Sequence, residues 1–214
     1  MSPPIAFTRE AARAYDAHCM RDLGIAGLEL MENAARGCTR IAREMVADRA
    51  APRVLVACGA GQNGGDGYAV ARMLHEAGVA CEIVHLGAPD AASDAGIMRR
   101  LATESQVVMR PFDPAMRFTR PDLVVDALFG TGLDRPLAGN ALAFVRWINA
   151  LGAPVLSVDL PSGMDCDTGR PLPECVRATV TATMVAPKLG FAAPHAARET
   201  GRVEVVPIGG PAPR

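Results

Sequence analysis

The sequence predicts an α/β fold: a Rossmann-like three-layer sandwich with a mostly parallel, doubly wound sheet and extra N-terminal helices. Short apolar runs of mostly Val and Leu, typical of strands buried on both faces, alternate with stretches of helical period. Three of these runs, residues 54–58, 123–125 and 155–158, end in glycines mixed with polar residues. Ligands of open α/β sheets bind outside the carboxyl ends of the strands, so the three ends predict one shared pocket.

Size and composition favour one domain over residues 1–214. Half of the residues are hydrophobic, which is enough for a full core. The net charge of -1 gives no electrostatic reason to expect nucleic acid or an anionic membrane. Six cysteines lack metal-type spacing and are predicted to be reduced core thiols. The charged N-terminus and the lack of a long apolar segment predict a cytoplasmic protein with no membrane contact.

Two helices are predicted before the first strand. Thr8 followed by Glu10 indicates a capped helix that runs to about Leu23 and ends at Gly24. Apolar residues of helical period predict a second helix over residues 27–48.

Strands and helices then alternate. After the first strand, Asp66 is expected to cap a helix that runs to Glu76 and stops at Gly78. The remaining predicted elements are, in order, a strand over residues 81–86, a helix over 91–103, a strand over 107–109, a loop over 111–121, the strand from Leu123, a helix over 138–151 and strands over 155–158, 178–185 and 203–206.

The first strand end carries a GxGxxG match at residues 59–64, between a strand and a helix, as in dinucleotide-binding turns. Two features disfavour an ordinary dehydrogenase. The charge of Asp66 opposes a phosphate at the helix N-terminus, and the second strand ends near His85 instead of the acid that holds a ribose. A tight glycine turn with Asp66 as a simple cap stays an open alternative. The chain has no GK[ST] motif, so a P-loop is excluded.

The second strand end predicts a cation site. Asp126 follows its apolar run directly, so we expect its carboxylate at the edge of the sheet, close to Asn63. These two side chains and Ser162 offer the oxygen donors that a hard cation prefers. The alternative is a polar network that satisfies the backbone of the loop.

Two further features indicate anion binding and proton transfer. The turn Gly130–Gly132 is a candidate anion nest, with Arg135 nearby to pair with phosphate. Asp159 stands at the third strand end, where a partly buried carboxylate can accept a proton; the alternative is a turn-forming Asp. Lys188 is the single lysine of the chain. A buried ammonium can exchange protons, whereas the alternative is an ordinary surface lysine.

The whole pattern resembles the YjeF N-terminal domain family, the NAD(P)H-hydrate epimerases. The matching segments occur in order along nearly the whole chain: LMENAARG at residues 30–37, GAGQNGGDGYAVARML at 59–74, DALFGTGLDRP at 126–136, VDLPSGMDCDTG at 158–169 and TVTATMVAPKLG at 179–190. The resemblance implies a Rossmann-like, usually dimeric isomerase that interconverts the R and S forms of 6-hydroxylated NADH or NADPH, together with a bound potassium ion.

The resemblance also implies roles for individual residues. The implied substrate-binding residues are Gln62, Asn63, Gly64, Gly65, Asp66, Gly130, Thr131, Gly132, Leu133, Asp134, Arg135, Pro136 and Asp159. The implied potassium ligands are Asn63, Asp126 and Ser162. Gln62 departs from the family's usual Asn. We interpret Asp159 and Lys188 as the catalytic acid–base pair.

Three expectations about partners and alternatives complete this interpretation. We expect a homodimer that works with a separate NAD(P)H-hydrate dehydratase, since the family's domain is often fused to one. A non-catalytic nucleotide-binding or scaffold module of the same fold is the alternative. It is disfavoured because Asp126, Asp159 and Lys188 are all present.

Overall fold

The computed structural model describes residues 5–212. Its strands are β1 (Arg53–Cys58), β2 (Ala80–His85), β3 (Val108–Pro111), β4 (Leu123–Ala127), β5 (Val155–Val158), β6 (Val180–Met184) and β7 (Arg202–Val206). Its helices are α1 (Arg9–Arg21), α2 (Gly27–Met45), α3 (Gln62–Glu76), α4 (Asp94–Glu104), α5 (Gly139–Ala150) and α6 (Ala197–Thr200), with a 3₁₀ turn at Leu189–Ala192.

All seven strands form one sheet in the order β3-β2-β1-β4-β5-β6-β7, and every neighbouring pair is parallel. The chain winds outward from β1 in one direction and from β4 in the other, so the winding direction reverses between these two strands. Ala57 of β1 pairs with Asp126 of β4, which pairs with Ser157 of β5. The predicted doubly wound α/β fold is confirmed, and the polar ends of β1, β4 and β5 lie side by side.

Helices cover both faces of the sheet. On one face α2, α3 and α4 pack over the central strands in the larger hydrophobic cluster. On the other face α5 packs against Phe112 through its own Phe144 and Trp147, and Phe144 is fully buried there. The described cysteines are all free, and five of the six are buried, as predicted. Within residues 5–212 no helix is both long and apolar enough to cross a bilayer.

Helix α1 lies outside this doubly wound unit, at the carboxyl edge of the sheet. The Ala11 N–H donates to Thr8 Oγ1 at 3.0 Å, which confirms the predicted cap. Phe7 forms a parallel bridge with Lys188, and the Tyr15 hydroxyl donates to the Pro211 carbonyl at 2.8 Å. Both ends of the chain therefore help to build one wall over the sheet edge.

Several predicted boundaries are wrong; for example, helix α4 begins at Asp94, three residues after the predicted start. Helix α3 begins at Gln62 with Gly61 as its N-cap, so Asp66 is the fifth helical residue and caps nothing. Helix α2 ends at Met45, three residues before the predicted end. Strand β3 extends to Pro111, which we placed in a loop; an edge strand tolerates proline because its missing N–H leaves no ladder bond unmade.

Candidate active site

A cavity of about 920 Å³ opens at the carboxyl ends of β1, β4 and β5. Its walls come from α1, the first turns of α2 and α3, the loop after β4 and the segment after β6. The predicted site residues that line it are Gln62, Asn63, Asp66, Gly130, Thr131, Gly132, Leu133, Asp134, Arg135, Pro136, Asp159 and Lys188. Gly64, Gly65, Asp126 and Ser162 are buried and do not line it.

Gly130 shows how closely the three strand ends meet. A Cβ atom on this residue would lie 3.1 Å from Asn63 Oδ1 and 3.1 Å from Asp159 Oδ2. The ends of β1, β4 and β5 thus contribute one residue each to a single contact point. The predicted shared pocket is confirmed.

A buried ion pair joins Asp159 to Lys188. Lys188 Nζ lies 2.7 Å from Asp159 Oδ1, and the lysine side chain is only 2% exposed. The ammonium also donates to Thr183 Oγ1 at 3.0 Å and to the Met184 carbonyl at 3.2 Å, so its three protons all have acceptors within the protein. The alternative of a solvated surface lysine is wrong.

Unusual backbone conformations hold this pair. Asp159 has φ 70° and Val185 has φ 67°, both in the left-handed region. The turn at Val185 brings the carbonyl oxygens of Met184 and Ala186 to within 3.2 and 3.5 Å of the Lys188 ammonium. The Thr131 N–H donates to the other carboxylate oxygen of Asp159 at 3.3 Å. The carboxylate is therefore fixed from two sides and still faces the cavity.

Close packing requires glycine at two positions of α3. A Cβ on Gly64 would lie 2.0 Å from the Gly59 carbonyl oxygen, and one on Gly65 would lie 2.6 Å from the Met31 sulfur. These glycines let the helix start directly against the loop that follows β1. The N–H groups of its first turn have no helical acceptors and form a positive helix end that can face an anion. Because Asp66 is not the cap, no carboxylate occupies that end.

Asp126 is the centre of a buried polar network. Its Oδ2 accepts from Ser157 Oγ at 2.8 Å and from the Ser162 N–H at 2.9 Å. Its Oδ1 accepts only from the Leu128 N–H, at 3.4 Å. Burial raises the pKa of Asp126, and the hydrogen bonds from Ser162 and Ser157 oppose that rise. No basic side chain among residues 5–212 pairs with this carboxyl group.

The surroundings of Asp126 fit a cation bound through oxygen. Asn63 Nδ2 is buried without a hydrogen-bond partner, so this amide has a donor left for a ligand. Ser162 Oγ accepts from the Phe129 N–H at 2.8 Å and keeps a further lone pair. The described chain holds no cluster of three or more His, Cys, Asp or Glu that suits a metal ion.

Two carboxyl groups of the cavity have raised pKa values, and one of them, Asp16, was not predicted as a site residue. Asp16 of α1 lines the cavity; desolvation by the cavity walls and the charge of Asp159 raise the pKa of Asp16 to about 6, while Lys188 lowers it. Burial, and then the charges of Asp159 and Asp16, raise the pKa of Asp66 well above its usual range. The positions of acidic residues along α1 could have signalled Asp16 only if the placement of that helix were known.

Comparison with known proteins identifies related sequences. Residues 27–190 match the family described as YjeF-related protein N-terminus. The chain is 39% identical to an NAD(P)H-hydrate epimerase of Rhodopirellula baltica, over 98% of this chain and 85% of that one. It is 36% identical to an NAD(P)H-hydrate epimerase of Limosilactobacillus fermentum, over 94% of this chain and 95% of that one.

A longer relative and a solved structure extend the comparison. The chain is 36% identical to a bifunctional NAD(P)H-hydrate repair enzyme of Salinibacter ruber, and spans 42% of that enzyme's length. The crystal structure of the yeast protein YNL200c has a TM-score of 0.80 at 21% identity, over 88% of this chain and 83% of that one. At that identity the likeness shows a shared fold.

Proposed function

The chain belongs to the family of YjeF-related protein N-termini, and we propose that it is an NAD(P)H-hydrate epimerase, an isomerase that interconverts the R and S forms of 6-hydroxylated NADH and NADPH. The names of its relatives support this activity. One structural observation carries it: the Asp159–Lys188 ion pair faces a cavity large enough for a dinucleotide.

The cavity suits a substrate of dinucleotide size. Its volume of about 920 Å³ lies at the upper end of the ligand-pocket range of about 300–1,000 Å³. The turn Gly130–Gly132 exposes backbone N–H groups that can bind the pyrophosphate, with Arg135 at the rim; the Thr131 N–H of this turn is already donated to Asp159. We assign the phosphate groups to this side and the hydroxylated ring to Asp159.

Acid–base chemistry suffices for the reaction. Carbon 6 of the substrate carries a hydroxyl group and bonds the ring nitrogen, so it is a carbinolamine that inverts when one of these bonds breaks and re-forms. We assign to Asp159 the acceptance of the hydroxyl proton. Lys188 is buried and its ammonium is paired with Asp159. Its main role is therefore to stabilise the negative charge of that carboxylate. Such proton transfer contributes about 10²- to 10⁴-fold.

We further propose a potassium ion held by Asn63, Asp126 and Ser162. The support is the buried carboxyl group of Asp126, which no basic side chain among residues 5–212 pairs. When bound, the ion would supply the missing positive charge and fix the loops that end β1, β4 and β5. A monovalent cation is a weak Lewis acid, so proton transfer stays with the protein side chains.

We also propose a cytoplasmic homodimer that works with an NAD(P)H-hydrate dehydratase. The support for the dehydratase is that relatives named bifunctional repair enzymes are more than twice as long as this chain. The dimer and the compartment follow from the family resemblance alone.

A direct assay tests the proposed activity. The purified chain is mixed with separated R or S hydrate, and both epimers are followed by chromatography. We expect fast interconversion by the wild type and a loss of about 10²-fold or more in Asp159→Asn. The exposed surface variant Asp48→Asn is the matched control and should keep the wild-type rate. If the wild type binds the hydrate without accelerating its conversion, the chain is a non-catalytic binding module.

A further inference from the structure

Epimerisation at a carbinolamine needs a proton donor as well as an acceptor. Lys188 is poorly placed to donate, because its three protons are held by Asp159, Thr183 and the Met184 carbonyl. Release of a proton from this ammonium would break the buried ion pair and leave the Asp159 charge uncompensated. The cavity therefore needs a second titratable group that faces the substrate.

Asp66 has the position that such a group requires. It lies three residues after Asn63 on α3, so both side chains project from the same helix face. Asn63 in turn lies beside Gly130, at the point where Asp159 also comes close. Asp66 lines the cavity, and its carboxyl group has neither a hydrogen-bond partner nor an ion-pair partner among the residues that the structure describes.

We propose that Asp66 is the proton donor of the epimerisation and that Asp159 is the acceptor, an inference that rests on the proposed function. An acidic side chain without a partner inside a ligand cavity has no structural use in the free protein. Its hydrogen-bonding capacity is available to the substrate alone.

Burial and the charges around the cavity favour the protonated form of Asp66. The other titratable residues that line the same cavity are Arg13, Tyr15 and Asp16 of α1, Asp94 of α4, Asp134 and Arg135 after β4, Asp159 after β5 and Lys188 after β6. The single ammonium is committed to Asp159. Burial, followed by the charges of Asp159 and Asp16, raises the pKa of Asp66 well above its usual range. The two carboxyl groups thus differ: Asp159 is ion-paired, whereas Asp66 has no basic partner among the described residues and its surroundings favour its protonated form.

The two groups complete a balanced reaction. Asp159 takes the proton of the C6 hydroxyl, and Asp66 gives its proton to the ring nitrogen. The C6–N bond breaks with its electron pair going to nitrogen, and C6 becomes an aldehyde carbon. Rotation about the C5–C6 bond presents the other face of the aldehyde. On ring closure the nitrogen proton returns to Asp66, and Asp159 gives the proton it holds back to the C6 oxygen. No oxidant, reductant or co-reactant is consumed.

Substitution of Asp66 by its near-isosteric amide tests this assignment. In Asp66→Asn we expect kcat for either epimer to fall by about 10²- to 10⁴-fold, with KM changed by less than about threefold. The wild-type rate should decline at high pH as Asp66 loses its proton, and this decline should be absent from the residual activity of the variant. A role confined to structure would not remove that limb of the pH profile.

Two more variants test whether the decline at high pH belongs to Asp66. Asp16→Asn removes one of the charges that raise the pKa of Asp66, so the decline at high pH should move to lower pH. Asp48→Asn, on the exposed surface, should leave the profile unchanged. Urea unfolding of Asp66→Asn should show a folded protein, because the carboxyl group has no partner to lose.

The outcomes separate the two proposals. An active Asp66→Asn variant with an unchanged kcat and pH profile overturns the donor assignment and leaves the epimerase activity standing. A wild type that accelerates neither epimer overturns both.

Discussion

Replacement of Lys188 by methionine should cost the protein a large part of its stability. The substitution keeps the length of the side chain and removes the charge, so it isolates the ammonium. The Asp159 side chain is 14% exposed and would lose its only cation, while Thr183 and the Met184 carbonyl would lose a donor. Removal of one partner of a buried pair costs about 3–5 kcal/mol. For a chain of this size the melting temperature should fall by about 6–20 °C.

Urea unfolding followed by fluorescence measures this loss. Trp147 is the single tryptophan and packs against Phe112 and Phe144 on the opposite face of the sheet, so it reports global unfolding. The control is Arg100→Met, which breaks an exposed pair with Glu104 and should change stability by less than about 1 kcal/mol.

A double variant separates the charge effect from packing. Lys188→Met combined with Asp159→Asn should be more stable than Lys188→Met alone, because no uncompensated charge remains. A loss below about 1 kcal/mol in Lys188→Met would refute the reasoning, since it would mean that the pair contributes nothing to the fold.

Three further predictions concern the glycines, the buried acids and the cation. Gly64→Ala should destabilise the protein by about 1–3 kcal/mol in urea unfolding, because its Cβ would lie 2.0 Å from the Gly59 carbonyl oxygen, whereas Gly132→Ala has open space and should change it by less than about 0.5 kcal/mol. Asp66→Asn should unfold at a higher urea concentration than wild type at pH 8 but not at pH 4. The pKa of Asp66 is raised in the folded state, so folding favours its protonated form. Wild-type stability therefore falls as the pH rises above about 4. Potassium at ten times its Kd should raise wild-type stability by about 1.4 kcal/mol relative to tetramethylammonium at equal ionic strength, and Asp126→Asn should lose this difference in a thermal melt.

The centre of the fold could be predicted because buried parallel strands read as continuous apolar runs. Strands β1, β4 and β5 appeared with few boundary errors, and their polar ends met as expected. The 3₁₀ turn at Leu189–Ala192 and the helix α6 were missed, because four residues are too few to show a period.

The start of α3 was misplaced for a physical reason. The sequence QNGGDG has low helix propensity, so propensity put the start at Asp66. Tertiary packing overrides this preference, since Gly64 and Gly65 are the residues that fit against Gly59 and Met31. Gly64 and Gly65 lower the local helix propensity, yet the surrounding packing leaves no room for a side chain at either position.

The site could be predicted only where the sheet itself places it. Asn63, Asp126 and Asp159 follow strands whose ends must lie together. Asp16 lies on α1, and the position of that helix over the sheet edge depends on the pairing of Phe7 with Lys188, which leaves no local signal in the sequence.

The left-handed backbone at Val185 has a consequence for how this protein can change. A β-branched residue avoids this conformation, which typically costs about 1–3 kcal/mol, yet here it directs two carbonyl groups onto the Lys188 ammonium. Part of the folding free energy is thus offset by backbone strain at Val185, next to the Lys188 ammonium. Variants selected for heat resistance alone should therefore accumulate glycine at Val185. Such variants should gain stability and lose catalytic activity.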